Sequence, residues 1–209
     1  MSAPRLDVQG LTCERGGRPL FTNVSFSLCA GEWMHLQGDN GAGKTSLMRM
    51  VSGLSPAVAG EVRWAGVPIR QCAELYRAQM LYLGHTLSLK DDLSALENLQ
   101  FEAAVSEESL DEGRARDALG ALGLRGREHL PLRVLSQGQK RRVALARLLT
   151  TRARLWLLDE PFVALDPSAV TQLADVLGQH VAQGGLVLYT SHQTVPMGGA
   201  GHHVRLTAA

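Results

Sequence analysis

Gly38-Asp39-Asn40-Gly41-Ala42-Gly43-Lys44-Thr45 fits the pattern G-x-x-x-x-G-K-S/T. It follows a run from Glu32 to Gln37 that reads as a buried strand. It precedes a segment, Lys44 to Ser52, that reads as a helix ended by Gly53 and then Pro56. Glycines at 38, 41 and 43 permit backbone conformations in which successive N–H groups converge on phosphate oxygens. The helix N-terminus adds partial positive charge. Lys44 is placed to reach the outer phosphates of a nucleoside triphosphate, and the Thr45 hydroxyl to hold Mg²⁺. The nucleotide-binding set read from this stretch is Gly38, Asp39, Asn40, Gly41, Ala42, Gly43, Lys44, Thr45 and Ser46.

The pattern changes in either direction from this loop. Upstream, Leu6, Val8 and Leu11, then Leu20 to Leu28, alternate as two strands around the turn Arg15-Gly16-Gly17-Arg18-Pro19. Downstream, Gly60 to Ile69 reads as a hairpin turning at Ala65-Gly66. From about 87 to 149 the texture becomes helical: Leu93, Leu96 and Leu99 share a face that Ala103 and Ala104 continue. Arg114 to Leu122 gives a helix bounded by Gly113 and Gly123. Leu155 to Leu158 and Leu186 to Thr190 are short, wholly apolar strands separated by a helix, Ser168 to Val181. Such strands alternating with helices indicate a parallel sheet covered on both faces. The expected class is α/β: a mostly parallel central sheet, an N-terminal antiparallel β part, and a helical insertion at about 87–149 within one domain, 1–209.

A phosphate loop alone does not select among nucleotide enzymes. The chain lacks an Asn-Lys-x-Asp guanine reader. Leu155-Trp156-Leu157-Leu158-Asp159-Glu160 is an apolar strand delivering carboxylates at its C-terminal end, the edge where ligands bind in open α/β sheets. Asp159 is placed to hold Mg²⁺ through water and Glu160 to polarise an attacking water. Leu135-Ser136-Gln137-Gly138-Gln139 opens a helix with Ser136 as N-cap, a second anion-binding helix terminus. His192 follows an apolar strand; taken alone it reads as a surface residue.

Composition narrows the partners. The 209 residues carry 21 basic and 20 acidic side chains, a formal net charge of +1. That balance speaks against nucleic acid as partner. Three cysteines, Cys13, Cys29 and Cys72, are odd in number and widely spaced, so they read as buried thiols in a reducing compartment rather than as a metal or haem-attachment motif. The N-terminal stretch lacks the basic and apolar regions of a signal peptide, and no apolar run reaches the length of a bilayer span. Membrane involvement is therefore expected only through a partner.

The motifs together resemble the ATP-binding cassette (ABC) family. Leu135 to Gln139 is similar to its signature, with Gln137 replacing a glycine. Ala164-Leu165-Asp166 resembles the D-loop, and His192 the switch histidine. The resemblance implies an ATPase in which Glu160, His192 and Lys44 are catalytic and Thr45 and Asp159 hold Mg²⁺. It also implies that Leu135, Ser136, Gln137, Gly138 and Gln139 of one copy close on ATP held by a second copy, and that Asp166 is the D-loop residue. Arg15 stands where many members carry an adenine-stacking aromatic. His85 and Thr86 stand where the family carries the Q-loop glutamine.

Leu11 to Arg15, Leu81 to His85, Leu93 to Leu99 and Arg142 to Arg147 further resemble the cytochrome c maturation ATPases (CcmA). That resemblance implies a peripheral subunit on the cytoplasmic face of a bacterial inner membrane. Its expected partners are the membrane proteins CcmB, CcmC and CcmD, in a complex that handles haem and is linked to release of the haem chaperone CcmE. No haem-binding motif is present in this chain; His202-His203 reads as a surface pair, so haem is not expected to bind here directly.

Overall fold

The computed structural model describes residues 5–207. β1 (Arg5–Arg15) and β2 (Arg18–Cys29) form a hairpin whose two turn residues, Gly16 and Gly17, have φ of 59° and 73°. Positive φ at both centres gives the turn a twist that matches the strands it joins. β4 (Ala59–Trp64) pairs antiparallel with β1, and β5 (Val67–Pro68) with β4, completing an antiparallel sheet of order β2-β1-β4-β5.

The second sheet is wholly parallel. β3 (Glu32–Gln37), β6 (Met80–Leu83), β7 (Leu155–Asp159), β8 (Leu186–Thr190) and β9 (Ala200–Arg205) stand in the order β6-β7-β8-β3-β9. Every residue of β7 and β8 is buried, as continuous apolar strands in the middle of such a sheet require. α1 (Lys44–Val51) buries Leu47, Met48, Met50 and Val51 in the core that also holds Leu36, Leu155, Leu157, Leu186 and Leu188.

The helical stretch comprises α3 (Ala95–Val105), α4 (Glu112–Ala121) and α5 (Gln137–Thr150), with a 3-10 turn at Leu132–Val134; α6 (Pro167–Ala182) comes later. The short α2 (Ala73–Ala78) buries Tyr76, whose hydroxyl donates to the Val51 carbonyl at 2.8 Å. The chain divides into two compact units. One holds both sheets (residues up to Gly84, Ala153–Pro161, and Leu177 onward); the other holds His85–Arg152 and Phe162–Val176.

Four local expectations are corrected. Leu93 precedes α3, which starts after a capping box: Ser94 Oγ accepts from the Glu97 amide and the Glu97 carboxylate from the Ser94 amide. Ala104 is exposed and does not extend the buried face. Gly113 lies inside α4, which starts after Asp111 as N-cap. Cys13 is buried, but Cys29 and Cys72 are only half-buried; all three are free thiols.

Candidate active site

The parallel register aligns three chain exits. Leu36 pairs with Thr190, and Thr190 with Asp159. The loop after β3, the loop after β8 and the residue after β7 therefore leave the sheet at the same edge, within the unit that holds both sheets. That edge is the C-terminal one, where open α/β sheets bind ligands.

The loop 38–45 is built by its glycines. Gly41 and Gly43 adopt φ of 86° and 95°. A Cβ at Gly43 would stand 2.9 Å from Phe21 Cδ1, and one at Gly38 only 2.7 Å from the Leu206 carbonyl oxygen. Gly43 is also the N-cap of α1, whose first turn carries no acidic side chain. Its positive end thus faces the loop uncompensated. Lys44 is buried, and its ammonium donates to the carbonyls of Gly38 (2.7 Å) and Asp39 (3.2 Å). Two of its three protons brace the loop, which keeps the cation over the cradle. Asp39, Asn40, Gly41 and Thr45 are exposed; Ala42 is buried, and Ser46 is half-buried beside Cys13. Arg15 is exposed at the hairpin tip.

Beside this cradle, Asp159 is buried at the end of β7. The Thr190 hydroxyl donates to Asp159 Oδ1 at 2.7 Å and accepts from the Glu160 amide at 2.9 Å. Glu160 has φ of 54°, the left-handed region, where a side chain with a Cβ is strained. His192 Nε2 lies 3.4 Å from Glu160 Oε1, with the imidazole half exposed and the carboxylate mostly covered. Burial and, second, the Asp159 carboxylate push the Tyr82 phenol above its ordinary pKa.

The loop carrying His192 is fixed from below. His35 Nε2 is 3.0 Å from the Ser191 carbonyl. A carbonyl only accepts, so Nε2 carries the proton. Gln37 Nε2 then faces the acceptor His35 Nδ1 at 3.4 Å and lies 3.3 Å from His203 Nδ1. His35 stacks on Tyr189 with centroids 4.6 Å apart, and burial lowers its pKa, against the opposing effect of the Ser191 bond. The His202-His203 pair is exposed, as expected, yet it belongs to β9, an edge strand.

The remaining candidates fall in the other unit. Ser136 caps α5: its hydroxyl accepts from the Gln139 amide, and Gln139 Oε1 accepts from the Ser136 amide. The first turn of α5 also carries no acidic residue. A Cβ on Gly138 would stand 3.0 Å from the Ala164 carbonyl, so the signature turn packs against the loop bearing Asp166. Asp166 accepts from the Ala169 amide at 2.9 Å and from the Arg142 guanidinium of α5. The amide first, and the guanidinium with it, hold its carboxyl below the usual range. Leu135 is buried and Gln137 exposed; His85 and Thr86 are exposed in a bend after β6.

Among the described residues no cluster of three or more His, Cys, Asp or Glu could hold a metal ion unaided. Thr45 and Asp159 are hard oxygen donors of the kind that suit Mg²⁺ shared with substrate phosphates and water. Thr190, His35, Gln37 and Tyr82 are the site residues that motif reading misses. The one available signal is that Thr190 is the polar end of an otherwise apolar run.

Known proteins are similar to this chain in sequence and in fold. The ABC transporter family model matches residues 21–163. A cytochrome c biogenesis ATP-binding export protein CcmA of Nitrosomonas europaea is 52% identical over 192 residues, covering 92% of this chain and 90% of that protein. The protein of the same name from Escherichia coli K12 is 48% identical over 188 residues, covering 90% and 89%. Among solved structures, an ABC transporter ATP-binding protein from Pyrococcus furiosus superposes with a TM-score of 0.84 at 23% identity over 97% of both chains. A dimeric ATP-binding cassette bound to ADP and Pi gives 0.78 at 22% identity, covering 90% of this chain and 88% of that one. The chain therefore belongs to the ABC transporter family and, within it, to the cytochrome c biogenesis ATP-binding export proteins named CcmA.

Proposed function

We propose that this chain is the ATP-hydrolysing subunit of an ABC transporter complex serving cytochrome c biogenesis, and that the complex handles haem. One observation carries the enzymatic reading: the phosphate loop, the Asp159–Glu160 pair and His192 leave one sheet edge in register, with Glu160 and His192 at 3.4 Å. Loop amides and Lys44 hold the β- and γ-phosphates. Glu160 orients water and accepts its proton as attack on the γ-phosphate proceeds. His192 donates to a γ-phosphate oxygen, where negative charge must be stabilised. Bound through Thr45 and Asp159, Mg²⁺ would neutralise charge on the phosphates. Arg15 stacks on the adenine through its guanidinium.

The signature turn at Ser136 to Gln139 lies in the other unit and contacts ATP held by a second copy, giving a head-to-tail homodimer. The segment 87–149 acts as the helical subdomain of a single cassette spanning 1–209. Membrane attachment comes through CcmB-, CcmC- and CcmD-like subunits on the cytoplasmic face of the inner membrane. Among the described residues no helix is long and apolar enough to cross a membrane.

The test is Mg²⁺-dependent ATP turnover of the wild type and of Glu160→Gln, with and without membrane subunits. The variant should lose hydrolysis and, on adding ATP, double its mass by light scattering. Equal turnover, or a mass that stays monomeric at saturating ATP, would overturn the reading. Thr86 favours one second reading, an ATP-gated regulatory subunit with weak hydrolysis, because threonine stands where the family carries glutamine.

A further inference from the structure

We infer that Thr190 is a positioning residue for hydrolysis, holding the Asp159 carboxylate and the Glu160 backbone in one geometry through a single hydroxyl. The inference rests on the roles proposed above for Asp159 and Glu160. Thr190 is fully buried and stands in register with Asp159 on the neighbouring parallel strand. A hydroxyl has one proton to give and lone pairs to receive. Here the proton goes to Asp159 Oδ1 at 2.7 Å, and a lone pair receives the Glu160 N–H at 2.9 Å. The two bonds hold the hydroxyl between Asp159 and Glu160, and the β-branch restricts its rotation.

Each bond restrains something that would otherwise relax. A buried carboxylate bonded at Oδ1 has its plane set, which sets the direction in which it faces a ligand. Glu160 holds a left-handed φ of 54°, a conformation that persists only where the surroundings impose it. Its amide bond to Thr190 is such a restraint, and it lies one peptide from the Asp159 carboxylate. The hydroxyl thus couples the residue proposed to share the metal ion to the residue proposed to orient water. Serine keeps the hydroxyl; valine keeps the shape and removes both bonds.

The experiment compares wild type, Thr190→Val and Thr190→Ser as purified full-length chains, with Thr190→Ala as a smaller replacement should the valine variant fail to fold. In nucleotide-free protein, the Glu160 amide should exchange with deuterium about tenfold faster in Thr190→Val, as loss of the hydrogen bond it donates to Thr190 predicts. In turnover, the Mg²⁺ concentration for half-maximal rate should rise and kcat should fall by about 10–100-fold, the usual range for such partners, while KM for ATP changes far less. Thr190→Ser should stay near wild type in all three. Folded Thr190→Val or Thr190→Ala with wild-type exchange and Mg²⁺ dependence would overturn the inference, and so would Thr190→Ser as damaged as valine. A wild type with no Mg²⁺-dependent turnover would instead refute the enzymatic reading, leaving the exchange comparison to decide the positioning role.

Discussion

Alanine at Gly43 should cost far more stability than alanine at Gly41, although the two glycines lie in one loop with nearly the same φ. Their φ angles are 95° and 86°. Each substitution forces a Cβ into a left-handed conformation, a penalty of about 1–2 kcal/mol. The difference lies in what the methyl meets. At Gly41 nothing stands within 4 Å; at Gly43 the Phe21 ring lies 2.9 Å and 3.1 Å away and Leu20 Cβ 3.4 Å. Phe21 is fully buried in the core and has little room to move. Overpacking of that kind adds about 1–3 kcal/mol, bringing Gly43→Ala to about 3 kcal/mol. For a chain of this size about 1 kcal/mol moves the melting midpoint by about 2–4 °C. Gly41→Ala should therefore lower it by about 4 °C and Gly43→Ala by about 9 °C, in nucleotide-free protein followed by circular dichroism. Gly16→Ala, with φ of 59° and nothing within 4 Å, supplies a control outside the loop and should match Gly41→Ala. Equal shifts at Gly41 and Gly43 would refute the reasoning, because they would show that the phosphate loop does not lean on Phe21.

His35→Gln should flatten the pH dependence of stability. Burial lowers the His35 pKa below its unfolded value near 6.5. The unfolded chain then binds more protons, so the neutral ring's contribution is full above that value and is lost as pH falls through it toward the folded pKa. Urea midpoints from pH 8 to 5 check this; an unchanged slope in the variant would count against it, with the similarly lowered His180 supplying the residual slope. Asn98 is buried and bonds to the Lys90 amide and the Lys90, Leu93 and Ser94 carbonyls, so Asn98→Ala should cost about 2–4 kcal/mol in urea unfolding and deprotect 90–94 to exchange. Glu102 and Arg147 pair at 2.8 Å with side chains 16% and 17% exposed. Glu102→Leu alone should cost about 3 kcal/mol, most of it restored by adding Arg147→Met, because the loss is mainly that of a stranded cation. Thr86→Gln should raise kcat severalfold if the missing glutamine limits hydrolysis; an unchanged rate would shift that burden to His85.

What could be read from the sequence divides along physical lines. β7 and β8 are almost wholly apolar runs, and burial on both faces leaves that signature whatever surrounds them. The hairpins announce themselves through Gly16-Gly17, Ala65-Gly66 and alternation. β9 leaves no such trace: Ala200–Arg205 is exposed or half-exposed throughout, and its place comes from backbone bonds to β3, more than 160 positions away in the chain. β6 is a four-residue apolar run, short enough to pass for part of a helix. The start of α3 was legible in Ser94 and Glu97, a capping-box spacing, but the Leu93 periodicity overrides it when only apolar positions are weighed. For the site, motif residues could be listed because loop chemistry constrains their types. Thr190, His35 and Gln37 could not, because their roles come from strands that adjoin only in the sheet.

Within each unit the candidate residues are bound to one another rather than merely gathered. On the sheet side, Lys44 braces its own loop, Thr190 ties Asp159 to the Glu160 backbone, and His35 holds the peptide before His192. In the other unit, Gly138 packs on the Ala164 carbonyl and Arg142 joins the signature helix to Asp166. Ala164 itself holds a positive φ of 61°. The bend at Ala164 to Asp166 is therefore constrained and tied to the turn that starts at Ser136, and the two should shift together. In the proposed head-to-tail dimer this pairing has a consequence. An anion received at the N-terminus of α5 would bear on Asp166 through Arg142, a residue of the same helix. On that proposal, a change at the γ-phosphate of one copy would reach Asp166 of the other through Arg142. Arg142→Ala should uncouple the two, leaving ATP affinity intact while ATP-induced dimerisation of Glu160→Gln weakens.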